Sequence, residues 1–251
     1  MVVTLEVLVA LLALAFLGGV IVATIGPGGI LIVTGLYLLT SLSSDEVAGT
    51  SSAIFTVGAV FGSVVYARSG EIDWPIAGAV SAAAAVGTWL GVRANAYLSR
   101  RAYGFVLAAL LAVVGANIVY REHRDLEPRL ELGRDGRGLA AFAGIGLVIG
   151  VFGGLLGIGG AALSAPALVL VGVPMLVTIA VTQIVVVFTA LFTSVNYLLR
   201  DAVVASLFVP ITAAYLGGVG LGWWLAHRIT ADRLKLALGV VLIGLAVSLV
   251  V

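Results

Sequence analysis

Long apolar runs separated by short polar connections fill this chain, and two of the runs are broken by glycine. A helix that crosses a bilayer needs roughly 20 apolar residues. Eight hydrophobic blocks meet or approach that length: about 5–42, 47–67, 74–92, 102–120, 138–173, 176–199, 202–226 and 234–251. The first and fifth are too long for one straight helix. Gly26-Pro27-Gly28-Gly29 interrupts the first, and Gly157-Ile158-Gly159-Gly160 interrupts the fifth, 131 residues later. Unwound backbone in lipid is costly unless protein buries it or it lines a cavity. Paired interruptions in two halves of a chain point to a transporter's binding site.

The matching extends beyond the breaks. Ala59-x-Phe61-x-Ser63-Val64-x-Tyr66 corresponds to Ala190-x-Phe192-x-Ser194-Val195-x-Tyr197, and Gly87-x-x-Leu90-Gly91 to Gly218-x-x-Leu221-Gly222. Gly19-Val20 matches Gly150-Val151, all at the same offset. Ala48-x-Thr50 pairs with Ala180-x-Thr182 after a slip of one residue. The expected architecture is an all-α polytopic membrane protein of two homologous repeats with four membrane segments each, the first segment of each broken at its glycines. Residues 1–120 form the N-terminal repeat, 121–137 a polar linker and 138–251 the C-terminal repeat. Basic residues follow the third block (Arg93, Arg100, Arg101) and the seventh (Arg228, Arg233, Lys235). The positive-inside rule places both connections in the cytoplasm, which favours repeats in parallel. Five crossings per repeat would instead invert them.

Composition agrees with a membrane assignment. The 251 residues are 62% hydrophobic and 10% charged, against about 25% charged in soluble domains; mean hydropathy is +1.23. Met-Val-Val-Thr-Leu-Glu has no basic start of a secretory signal, so it reads as the beginning of the first span. A net charge of +1 with scattered arginines leaves no nucleic-acid footprint. There is no cysteine for a disulfide or thiolate, and only two histidines, His123 and His227, both in polar connections. No cofactor or metal is expected. The middles of the unbroken blocks hold no Asp, Glu, Lys or His, which argues against a carboxylate proton relay and against an enzyme's acid–base or nucleophile–base pair.

What remains at depth is backbone and neutral polar side chains. A helix that begins after a break offers unpaired N–H groups and the positive end of its dipole, an anion site without a basic residue. The candidate binding set is therefore Gly26, Gly28, Gly29, Thr50 and Ser51 in the first half, and Gly157, Gly159, Gly160, Thr182 and Gln183 in the second. Thr24, Ser52 and Ser164 are further hydroxyl candidates. Gln183 is the most polar mid-block side chain in the second half and carries two N–H donors. Gly87-x-x-x-Gly91 and Gly218-x-x-x-Gly222 read as packing faces. Trp74, Trp89, Trp223 and Trp224 read as interface anchors.

A Gly-x-Gly-Gly break ending the first long segment, repeated after a central linker, with Ala-x-Thr opening the next helix, resembles the sulfite exporter TauE/SafE family, also called the toluenesulfonate uptake permease family. The resemblance covers about residues 10–250 and rests on Gly26, Gly28, Gly29, Ala48, Thr50, Gly157, Gly159, Gly160, Ala180 and Thr182. It implies a multi-pass plasma-membrane carrier for small sulfur-containing anions such as sulfite, sulfonates or thiosulfate. Two departures stand out. Pro166 follows the second break, whereas Gly35 holds the equivalent place after the first, and Pro27 lies inside the first break. The two half-sites are therefore expected to be unequal.

The expected function is secondary transport of a small anion by alternating access. A channel of the same architecture and a non-transporting membrane scaffold are the alternatives. The expected partners are the anion and the lipid bilayer, and a homo-oligomer is compatible with the sequence.

Overall fold

The computed structural model describes residues 4–24, 26–124, 132–226, 239–240, 242–247 and 249. Nine α-helices are described up to residue 226: α1 (Leu5–Thr24), α2 (Ile30–Leu39), α3 (Ser44–Ser69), α4 (Trp74–Asn95), α5 (Arg100–Arg124), α6 (Gly136–Leu156), α7 (Ala161–Leu170), α8 (Met175–Leu198) and α9 (Ala205–Ala226). Residues 239–240 and 242–247 are also helical. There is no strand among the described residues. Six helices (α1, α3, α4, α6, α8 and α9) are long and apolar enough to cross a membrane. Large apolar side chains such as Val60, Phe61, Phe192 and Val209 stand exposed on them, as lipid-facing surfaces require. This is a multi-pass helical membrane protein.

Local signals set the helix ends. Ser43 accepts from the Glu46 N–H while the Glu46 carboxylate accepts from the Ser43 N–H, a capping box that starts α3. Gly70, in the left-handed region, ends it. Asp73 caps α4 and Asp135 caps α6.

Each broken block becomes a hairpin rather than one crossing. α2 and α7 are only ten residues long, and α2 runs back along α1. Gly28 packs on Gly18, Ile21 and Val22, whereas Gly35, a turn or two later, packs on Leu11 and Leu14.

α3 and α8 cross the core side by side and antiparallel. Gly49, near the start of α3, touches Tyr197 near the end of α8, and Gly62, near the end of α3, touches Gln183 near the start of α8. The parallel arrangement of halves expected from the basic loops is therefore corrected: corresponding segments point in opposite directions. The cause is the returning half-helix, which adds one reversal to each half. The end of α4, with Arg93, lies beside the start of α3, as the contact of Ser44 with Leu98 records. α9 runs parallel to α3, with Thr50 at Val204 and Gly58 at Tyr215, so it ends at the opposite face. Arg228, Arg233, Lys235 and His227 lie outside the described residues.

Glycine seams join the rest. A Cβ on Gly19, Gly218 or Gly222 would strike backbone carbonyls of Tyr215, Phe16 or Val20, binding α1 to α9. On Gly150, Gly87 or Gly91 it would strike those of Ala84, Leu147 or Val151, binding α6 to α4. Every residue of the second set lies 131 places from its counterpart in the first. The first helix of each half thus packs on the third long helix of the other half, α1 on α9 and α6 on α4.

Candidate functional site

The second break is a run of left-handed glycines. Gly157 (φ 70°), Gly159 (φ 63°) and Gly160 (φ 78°) adopt backbone that L-residues rarely tolerate. The first break is built differently. Only Gly26 has positive φ, at 110°, and Pro27–Gly29 form a single 3-10 turn. Gly28 is required instead by its contact with the backbone of α1. The expected inequality of the half-sites takes this form.

A helix that ends inside protein leaves carbonyls without intrahelical donors. At the end of α6 they are satisfied by side chains from four other helices. Tyr197 donates to the Gly154 carbonyl at 3.1 Å, Asn95 to Leu155 at 2.6 Å and Tyr103 to Leu156 at 2.7 Å. Ser51 donates to Gly157 at 2.9 Å, and Thr189 to Gly159 at 2.6 Å. The acceptor side of this break is closed off. Its donor side is not: the Ala161 and Ala162 N–H groups at the start of α7 have no acceptor among the described residues.

The two breaks meet in the interior of the helix bundle. A methyl on Gly26 would come within 3.1 Å of the Ala165 Cβ on α7. Phe55, on α3, stands between them: its ring is 3.0 Å from a Cβ built on Gly29, and its Cβ is 3.5 Å from one built on Gly159. The small cavity they enclose measures about 20 Å³, room for about one water. Gly26 and Gly29 line it from the first break, Ile158, Ala161 and Ala165 from the second, and Thr182, Gln183, Val186 and Tyr215 from α8 and α9. No charged side chain among the described residues lines it. A second cavity, about 170 Å³, lies beside Ala23, Phe61, Gly62, Tyr66 and Trp223, and Gln183 borders both.

Of the ten candidates, Gly26, Gly29, Thr182 and Gln183 line the central cavity. Gly28, Thr50, Ser51, Gly157, Gly159 and Gly160 surround it without lining it. The Thr50 hydroxyl accepts from the Val204 N–H at 3.0 Å, and Ser51 ties α3 to Gly157. The Thr182 hydroxyl is buried and has no hydrogen-bond partner among the described residues. Thr24 and Ser164 bond back within their own helices, to Val20 and Gly160, and Ser52 to Gly49. Phe55 and Tyr215 escaped the sequence reading. Tyr215 carried one usable signal: a tyrosine near the middle of a span, whereas membrane tyrosines favour the interfaces.

One arginine supports the first half-helix from its far end. Arg100 donates to the carbonyls of Tyr37, Thr40 and Leu42 and stacks on the Tyr37 ring at 4.5 Å. The Tyr37 and Thr40 carbonyls belong to the negative end of α2 and Leu42 to the loop after it, so the cation sits where the helix dipole favours it.

Residues 11–249 match the family model described as Sulfite exporter TauE/SafE. A "Probable membrane transporter protein" of Xylella fastidiosa strain Temecula1 is 25% identical over 98% of this chain and 96% of its own length. A protein of the same description from strain 9a5c is 24% identical with the same coverage. No solved structure matches.

Proposed function

Because the chain belongs to the sulfite exporter TauE/SafE family, we propose that this membrane transporter carries a small sulfur-containing oxyanion by alternating access, and that the anion binds between the two glycine breaks. One observation carries the reading. At the second break the side chains arriving from neighbouring helices cap only carbonyls, while the Ala161 N–H and the buried Thr182 hydroxyl, on two residues that line the same cavity, have no hydrogen-bond partner among the described residues. Unpaired buried donors are costly, and an anion is the ligand that relieves them.

Physical chemistry favours this set for a carrier. The donors are neutral, so the anion is not trapped by a buried cation and release stays accessible. The cavity holds about one water in this conformation, too little for a sulfur oxyanion, so binding requires the breaks to part. The contacts that recur at the 131-residue offset support a duplicated, inverted pair of halves. Inverted repeats supply two states exchanged by a pseudo-two-fold rotation around one central site.

The test is flux in liposomes containing the purified protein. Labelled sulfite uptake should saturate and should be accelerated by unlabelled sulfite inside. Linear, non-saturating flux without counterflow would indicate a channel instead. Absence of flux for sulfite, methanesulfonate, sulfoacetate and thiosulfate alike would remove the anion reading.

A further inference from the structure

The long central helix α3 carries Gly58 and Gly62 one turn apart, and each opens a slot that a polar side chain fills. At Gly58 a Cβ would strike the Tyr215 ring at Cε1; at Gly62 it would lie 2.7 Å from the Gln183 Oε1. Tyr215 comes from α9 and Gln183 from α8, and both border the central cavity. Tyr215 is 3% exposed, its ring set edge-on against Phe55 at 5.7 Å. No hydrogen bond from its hydroxyl, or from the Gln183 amide, is present among the described residues.

The residues at the 131-residue offset are different. Ala84 stands in place of Tyr215 and Ser52 in place of Gln183. Thr182 corresponds to Ser51 at this strict offset and to Thr50 after the slip of one residue; Ser51 already donates to Gly157, and Thr50 accepts from the Val204 N–H. Ser52 bonds back to Gly49. The free side-chain donors are therefore gathered on the α8–α9 side, and the α3 side presents Phe55 and Ala59.

Resting on the anion reading above, we propose that Tyr215 is a binding residue for the transported anion and that, with Thr182 and Gln183, it makes the site one-sided. The phenol is a neutral donor on a rigid ring. Gly58 lets that ring lie against α3, and Gly62 does the same for the amide. A larger residue at either glycine would move a donor without touching the backbone breaks. The consequence is a specificity set that lies outside the glycine motifs.

The experiment compares wild-type protein with Tyr215→Phe, Gly58→Ala and Ala84→Ser in liposomes, with labelled sulfite as probe. Tyr215→Phe keeps the ring and its packing, and size-exclusion elution and unfolding temperature should match wild type. Loss of a hydrogen bond to a charged ligand should raise KM about tenfold or more, while kcat changes less. Gly58→Ala, which displaces the ring, should also raise KM; Ala84→Ser should leave it unchanged. If wild type carries sulfite and Tyr215→Phe keeps its KM, the Tyr215 role is overturned while the anion site stands. A KM increase of similar size in Ala84→Ser would also overturn one-sidedness. If wild type carries no sulfite and sulfite does not raise its unfolding temperature, the anion reading fails and this inference with it.

Discussion

The Ser51 hydroxyl lies 2.9 Å from the Gly157 carbonyl, bridging the longest core helix to the second break across more than a hundred residues of chain. Thr182, at the strict 131-residue offset in the other half, makes no such bond among the described residues. Two hydroxyls in like positions therefore differ in employment, and substitution separates them. Ser51→Ala leaves a buried carbonyl without its donor and should cost about 1–3 kcal/mol, read as a lower unfolding temperature in detergent. Thr182→Ala strands nothing and should unfold within about 0.5 kcal/mol of a neutral surface change, yet weaken sulfite transport. Equal stability losses in both variants would contradict this division.

Phe55 separates the breaks. Phe55→Ala should enlarge the 20 Å³ cavity and cost about 3–5 kcal/mol. In liposomes it should admit bulkier sulfonates than wild type or leak anions without saturation. A variant that unfolds earlier but keeps wild-type selectivity would show that the ring only fills space.

Among the described residues the lining carries no ionised group, and the penalty for burying charge grows steeply with its magnitude. Sulfite passes between singly and doubly charged forms near neutrality. Flux per total sulfite should therefore rise as the medium is made mildly acidic, because the singly charged form becomes more abundant. Methanesulfonate, singly charged throughout, should show no matching change. Faster transport of sulfate than of methanesulfonate would count against a neutral site.

Arg100 fixes the outer end of α2 through three carbonyls. Arg100→Gln should lower stability by about 1–3 kcal/mol, since fewer donors remain for these part-buried acceptors. Arg100→Lys should recover only part of the loss, because an ammonium cannot reproduce the guanidinium fork. Unfolding temperature reports both. By contrast the Arg134–Asp73 ion pair has an exposed arginine, and Arg134→Ala should change stability by less than about 1 kcal/mol.

How much of this was legible in the chain differs by element. Block lengths foretold α3, α4, α5, α8 and α9 closely, because a bilayer-crossing helix leaves an apolar signature of its own length. The breaks were legible because few residues other than glycine tolerate the backbone found at 157, 159 and 160. Chain direction was not: the ten residues from Ile30 to Leu39 and from Ala161 to Leu170 are apolar whether they cross or turn back, and only contacts with α1 and α6 decide. The hydroxyl candidates divided for a related reason. Thr50, Ser51 and Thr182 are alike in sequence, but acceptors arriving from remote segments determine which of them is engaged. Tyr215 becomes conspicuous only once Gly58 is seen to receive its ring.

The seams of α1 on α9 and of α6 on α4 impose an order on biogenesis. The opening helix has to wait in the bilayer until residues 205–226 leave the ribosome before its glycine face finds a mate. Neither half alone would contain a completed clasp, so a fragment ending at the central linker is expected to be degraded rather than to persist as half a transporter. Co-expression of two separately synthesised halves could restore the molecule only if each surrendered its first helix to the other.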